Sequence, residues 1–350
     1  MHAQTRIILT MLRAMRNGRS ISIALLAVAV ALVAGGCGAE TSPSQPDGAS
    51  VSAVATTTQV ADFVREVGGD RVEVSQILQP NSDPHAYEPR PSDAEAVAGA
   101  DVIFQSGGDL DSWLDGLIDN AGSDAPAVGL IQAVERVDGD SASGSGEHGE
   151  EDEHADEVEH DHGDNADPHW WQDPRNVLAA IDAIRGALTA ADPDGRREYE
   201  ANASAYGELL RRLDREVAAC IEQIPPPQRK LVTTHDALGY FARRYGIEVV
   251  GALIPSQSTA AQPSAGDTQD LVDQVEREGV KAIFPESSID PQLERAVARE
   301  TGAEVGRALW ADMLGPEGSD GENYIESIQA NTAALVDGLT GGAKQCRPGA

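Results

Sequence analysis

From residue 51 onward, short apolar runs alternate with amphipathic stretches, and the alternation occurs twice, on either side of one long proline-free segment. Residues 51–55, 60–67 and 72–78 read as strand, helix, strand. The pattern continues through 94–100, 101–104, 113–118 and 127–130, as expected of an α/β unit on a parallel sheet. After Pro225-Pro226-Pro227 it restarts with 230–233, a helix to 245, then 248–253 and 280–284, a second unit of the same kind. Between the two, Tyr199, Tyr206, Leu209, Leu210, Leu213, Val217 and Ile221 recur at spacings of three, four and seven. That periodicity predicts one amphipathic helix over 194–224, about 30 residues or roughly 45 Å long, able to hold two lobes at a nearly fixed separation. A chain of 350 residues with 41% hydrophobic content can bury two such cores, which excludes a disordered polypeptide or a small disulfide-stapled module.

The segment before residue 51 reads as an address. Arg6, Arg13, Arg16 and Arg19 lie in a stretch without acids, and an uncharged apolar run follows over 21–33. At about 13 residues that run is short of the roughly 20 a membrane-spanning helix needs, so a secretory signal is expected rather than a permanent span. Ala34-Gly35-Gly36-Cys37 resembles a bacterial lipobox, which makes 1–36 a lipoprotein signal peptide and Cys37 the lipidated residue. The Ser, Pro and Gly content that follows marks 37–50 as a flexible tether. Cys220 and Cys346 are then the candidate disulfide pair of an oxidising compartment, with a separation that sequence leaves open.

Net charge is −32, from 26 basic and 58 acidic residues. Nucleic acid would be repelled and cations attracted. One segment fits neither lobe: 139–167 opens with Ser, Ala and Gly and continues as acids interleaved with His148, His154, His160 and His162. It cannot form a core and is expected to be a mobile loop within the first lobe, 51–193.

Apart from His2 in the leader, the remaining histidines are His85, His169 and His235. His85 and His169 each follow Asp-Pro, where the fixed proline φ stiffens the loop. His235 stands at the carboxyl end of the run 230–233, and His85 also follows a strand, which is where ligands bind in open parallel sheets. Three imidazoles suit zinc, with a carboxylate in the fourth tetrahedral position. Two carboxylates fit that place, Asp312 after the run 307–311 and Glu286 after 280–285, and the pattern of residues does not choose between them. Asp83, Asp167 and Asp236, each beside a histidine, are candidates for acceptors that orient the rings.

Taken together, these motifs resemble the metal-binding solute-binding proteins of zinc and manganese ABC transporters, the ZnuA and TroA-like group (cluster A-I), over about residues 51–338. The resemblance rests on Asp-Pro-His-x-Tyr-Glu-Pro at 83–89, Asp-Pro-His-x-Trp-x-Asp-Pro at 167–174, Thr-Thr-His-Asp-Ala-x-Gly-Tyr at 233–240, and more weakly on Ser258-Thr259 with Pro263-Ser264. It implies two α/β lobes, each with a mostly parallel sheet flanked by helices, joined by one long backbone helix (194–224) before a second lobe over 225–350, with metal in the interlobe cleft. By motif it implies His85, His169, His235 and Asp312 as ligands, leaving Glu286 as a neighbour. Manganese-selective members resemble this pattern with a glutamate where His235 stands, and zinc members similarly carry an acidic, histidine-bearing loop, so Zn2+ is the expected cargo ahead of Mn2+.

The implied role is capture of zinc outside the cytoplasmic membrane by a lipid-anchored monomer, and delivery to a permease driven by a separate ATPase. No bond is broken in such a cycle. The rival from another class is a zinc-dependent hydrolase with Glu286 as general base, which requires that Asp312 not ligate. The histidines of the loop are expected to gather zinc weakly near the cleft.

Overall fold

The computed structural model describes residues 50–137 and 166–349. The leader, Cys37, the tether up to residue 49, and His148, His154, His160 and His162 therefore lie outside the described residues.

The first sheet has four parallel strands in the order β2-β1-β3-β4: β1 (Val51–Ala55), β2 (Val72–Gln76), β3 (Val102–Gln105) and β4 (Ala127–Gly129). Val51 lies opposite Val72, and Ala53 opposite Val102. Successive side chains of a strand point to opposite faces. Val51, Ala53, Ala55, Val102 and Phe104 accordingly enter the main core, while Val54 and Ile103 enter a smaller one on the other side. The helix α1 (Thr58–Gly68) covers the first face, and α2 (Pro91–Ala98) and α3 (Leu114–Ala121) cover the second. Burial on both faces is why these strands read as continuous apolar runs.

Two helices follow. α4 (Pro174–Ala191) begins at Pro174, whose missing N–H costs nothing in the first turn, with Asp173 accepting from Arg175 N. Its interior face, Val177, Ala180, Ile181, Ile184 and Leu188, belongs to the same core as Tyr199, Ala203, Tyr206, Leu210, Leu213 and Val217 of α5 (Arg196–Ile221). α5 is the long helix read from periodicity, at 26 residues. It starts late because Pro193–Gly195 forms a separate 3-10 turn, and it ends before the proline run at 225–227. α4 was not anticipated. Cys220 near the end of α5 is bonded to Cys346, with Cα atoms 5.5 Å apart.

In the second half, β5 (Lys230–His235) pairs in parallel with β6 (Glu248–Ile254), and α6 (Gly239–Tyr245) connects them. β7 (Ala282–Ile283) pairs with β8 (Glu304–Val305) and joins β5 through a single bridge, Thr233 to Phe284. Val232 and Ile283 point into a separate core under α7 (Ala265–Glu278) and α8 (Gln292–Thr301), whereas Leu231, Ala282 and Phe284 reach the main core, which α9 (Tyr324–Leu339) completes. The strand expected over 280–284 is only two residues long because of its partner segment. Gly306 N donates to Ile283 O and Leu309 N to Pro285 O, so three steps on one segment face two on the other. The extra residue interrupts the ladder and turns the segment 309–312 inward. Among the described residues, no helix is long and apolar enough to cross a membrane.

Candidate metal centre

Each expected ligand arrives on a different kind of support. His235 is the last residue of β5, at the carboxyl end of a parallel strand. His85 sits in a 3-10 turn, Pro84–Ala86, that Asp83 caps by accepting from His85 N at 2.9 Å. His169 opens the turn Trp170–Gln172, where Trp170 Nε1 donates to Ser106 O at 3.2 Å. Glycine is needed opposite this turn. Gly108, at φ 67°, would bring a Cβ to 3.1 Å from Pro168, the residue before His169. Asp312 lies on the segment that follows the Leu309 bridge to Glu286.

The structure brings His85, His169, His235 and Asp312 together, with one ligand atom of each lying within 4.8 Å of all the others. Asp312 Oδ2 is 3.3 Å from Nε2 of His85 and 3.3 Å from Nε2 of His235, and Asp312 Oδ1 is 3.3 Å from Nε2 of His169. The Nε2 atoms of His169 and His235 are also 3.3 Å apart. A tetrahedron with metal–ligand bonds of 2.0–2.1 Å has edges of about 3.3–3.4 Å; these four separations are of that size, and the remaining ones lie within 4.8 Å. His169 and His235 have no solvent exposure and Asp312 has 4%. Two buried atoms of the quartet, His85 Nε2 and Asp312 Oδ1, have no hydrogen-bond partner. Orphaned polar atoms are costly in an interior, and a shared cation would satisfy both.

The ring orientations follow from carboxylates behind them. Asp167 Oδ1 accepts from Nδ1 of His169 at 2.7 Å and from its main-chain N at 2.9 Å. Glu286 Oε1 takes the same part for His235, accepting from Nδ1 and, at 3.3 Å, from its N. A carboxylate can only accept, so Nδ1 carries the proton in both rings and Nε2 is turned toward the quartet. Thr234 holds Glu286 in place, accepting from its N at 3.1 Å while donating to Glu294 at 2.6 Å.

Electrostatics follow from the geometry. Burial pulls the His169 imidazolium down, but Asp167 and Asp312 outweigh it and hold the group at about 9. His235 is likewise opposed by burial and raised well above its ordinary value by Asp312 and Glu286. Burial works against ionisation of Asp312, yet His235, His169 and His85 bring it well below the usual carboxylate range. Burial pushes the Glu286 carboxyl up.

Two of the three aspartates expected to orient histidines do not do so. Asp83 touches only the main chain of His85, and its other oxygen accepts from Thr259 Oγ1 at 2.7 Å, because capping its own turn points the carboxylate away from the ring. Asp236 makes no contact with a ring, its N being drawn to Ser256 O, and burial raises its carboxyl. Asp167 does orient His169, and so belongs to the folded site rather than to the end of a mobile loop. Glu286, weighed as a ligand, faces the far side of His235. Sequence reading missed the contacts that fix the Asp312 segment, since they run from Thr58, Trp171 and Gln172 to main-chain atoms. A groove of about 400 Å³ lies between α4 and α5, lined by Leu178, Ile181 and Gly207.

Comparison with known proteins gives a consistent result. Residues 53–338 match the family described as zinc-uptake complex component A, periplasmic. The manganese-binding lipoprotein MntA of Halalkalibacterium halodurans is 30% identical over 322 residues, covering 92% of this chain and 99% of that protein. The manganese ABC transporter substrate-binding lipoprotein scaA of Streptococcus gordonii is 28% identical, covering 93% and 99%. Among solved structures, the periplasmic zinc-binding protein TroA of Treponema pallidum superposes with a TM-score of 0.71 at 26% identity, covering 83% of this chain and 99% of that one.

Proposed function

Because the chain belongs to the zinc-uptake complex component A family, we propose that it is an extracytoplasmic receptor that captures Zn2+ and delivers it to the permease of an ABC transporter. Members of this family are substrate-binding receptors of such transporters and not enzymes. We assign Cys37 as the lipid anchor behind a signal peptide over 1–36 and a tether over 37–50, with lobes over 51–193 and 225–350 about the helix region 194–224. The lipobox-like sequence and the lipoprotein names of the relatives support this assignment. A separate ATPase would power import.

The observation that carries the choice of zinc is the quartet of three imidazole nitrogens and one carboxylate, with one ligand atom of each within 4.8 Å of all the others. His85, His169, His235 and Asp312 would hold the ion, and Asp167 and Glu286 would keep the two buried rings in the ligating tautomer. Four protein donors leave no position for an activated water, which fits a carrier rather than a hydrolase. Glu286 Oε1 accepts from Nδ1 of His235, behind the ring rather than at its ligating Nε2. Manganese is the second reading, favoured by the names of the relatives above. Against it stands the nitrogen-rich donor set, since manganese prefers hard oxygen ligands. The loop histidines His148, His154, His160 and His162 would supply weaker accessory sites.

Isothermal titration of the metal-stripped mature chain with Zn2+ and with Mn2+, alongside His235→Ala, tests the reading. One tight zinc site that is severely weakened in the variant is expected. Preference for Mn2+, or tight zinc binding indifferent to His235→Ala, would overturn it.

A further inference from the structure

Asp312 comes from the second half of the chain, yet the peptide group before it is held by the first. Ala311 O accepts from Trp171 Nε1 at 3.0 Å and from Gln172 Nε2 at 2.9 Å, and all three residues are buried. A carbonyl oxygen has two lone pairs, so these two donors use it fully. Trp171 and Gln172 belong to the same turn as His169. Trp171 is itself pinned, its carbonyl accepting from Tyr324 Oη at 2.7 Å. The turn that presents one ligand therefore also grips the main chain next to another.

Gln172 uses only half of its amide. Its Nε2 bonds Ala311 O, but its Oε1 is buried without a hydrogen-bond partner. A half-satisfied buried amide lowers stability. Leucine would fill a similar volume without the orphaned atom, and Ala311 O would keep Trp171 as a donor. Packing alone thus gives no reason for glutamine here, whereas positioning of Asp312 does.

We propose that Gln172, together with Trp171, is a positioning residue that holds the Ala311 carbonyl and so keeps the Asp312 carboxylate in register with His85 and His169, so that metal affinity depends on Gln172 through Asp312. This rests on the quartet being the metal site, and adds to it a residue that touches no metal. In consequence, His169 and Asp312 move as one unit although they lie on different halves of the chain.

The test is a double-mutant cycle on the mature chain, reading Zn2+ affinity by competition with a chelating dye for Gln172→Leu, Asp312→Ala and the pair. Partners that orient metal ligands are typically worth 10–100-fold in affinity. Gln172→Leu should weaken zinc binding by about tenfold or more, mainly through faster release, while the metal-free Tm stays level or rises. On the Asp312→Ala background the same change should add less than about twofold, because its effect passes through the missing carboxylate. Equal losses on both backgrounds, no loss from Gln172→Leu beside a clear loss from Asp312→Ala, or a loss that tracks a fall in the metal-free Tm would each overturn the inference. An Asp312→Ala protein that still binds zinc tightly would instead refute the quartet as the metal site, and the inference with it. If Gln172→Leu does not fold, Gln172→Met, which also lacks the donor, carries the same expectations.

Discussion

Metal entering the quartet must displace protons from the ligating rings. At pH 7.5 a histidine of ordinary pKa near 6.5 is only about one-tenth protonated and releases almost nothing on ligation. His169, held at about 9 by Asp167 and Asp312 against its burial, is by the same relation about 97% protonated in the metal-free protein. His235 is raised in the same direction by Asp312 and Glu286. Zinc ligates the neutral ring, so binding should release about one proton from His169, with any release from His235 adding to it. Correspondingly, the apparent Kd should fall by about one order of magnitude or more per pH unit between pH 6.5 and 8, affinity rising with pH because protons compete below the raised values. The assay is isothermal titration in buffers of different ionisation enthalpy, on a mature chain whose His148, His154, His160 and His162 are replaced by alanine. Release of less than about half a proton at pH 7.5, or a Kd nearly independent of pH across that window, would refute the argument that these carboxylates hold the imidazoles protonated until metal arrives.

Two further outcomes are expected. Asp167→Asn keeps an oxygen for both His169 donors but removes the charge, so zinc binding should weaken by about 10–100-fold while proton release drops, and an unchanged proton count would show that Asp167 does not set the His169 charge state. The Cys220–Cys346 disulfide closes a separation of 126 residues, so Cys346→Ser should lower stability by about 2–4 kcal/mol in denaturant unfolding. The cysteines lie apart from the quartet, at the end of α5 and near the C-terminus, and a tenfold change in zinc affinity in that variant would contradict the separation of the two roles.

How far the sequence could be read depended on whether the controlling interaction was local. β1, α1, β2 and the strands β3 to β6 were legible because period-two and period-3.6 burial is written directly into residue order, whereas β8 and the helices α7 to α9 were not read. The end of β7 was not legible, since the extra residue that interrupts it sits across the sheet in the segment 306–309. α4 escaped notice beside the more strongly patterned α5, although Asp173 and Pro174 mark its start. The three histidines outside the loop stood out because each lies in a stiff or strand-terminal motif. Asp312 and Glu286 looked alike in sequence, both being acids after an apolar run. Only the fold separates them, turning Asp312 toward the Nε2 atoms and Glu286 toward the Nδ1 atom behind His235.

Sequence by itself determined the α/β class, the long helix, the set of imidazoles and a metal as the cargo, because patterning, proline positions and donor chemistry are properties of residues and their neighbours. Tertiary structure decided which carboxylate joins the imidazoles, which carboxylates orient them, and how the segment of Asp312 is held by Trp171 and Gln172, some 140 residues away. Those are matters of direction in space. A side chain's partner across a cleft is set by the packing of whole elements, and residue order carries no local signal for it.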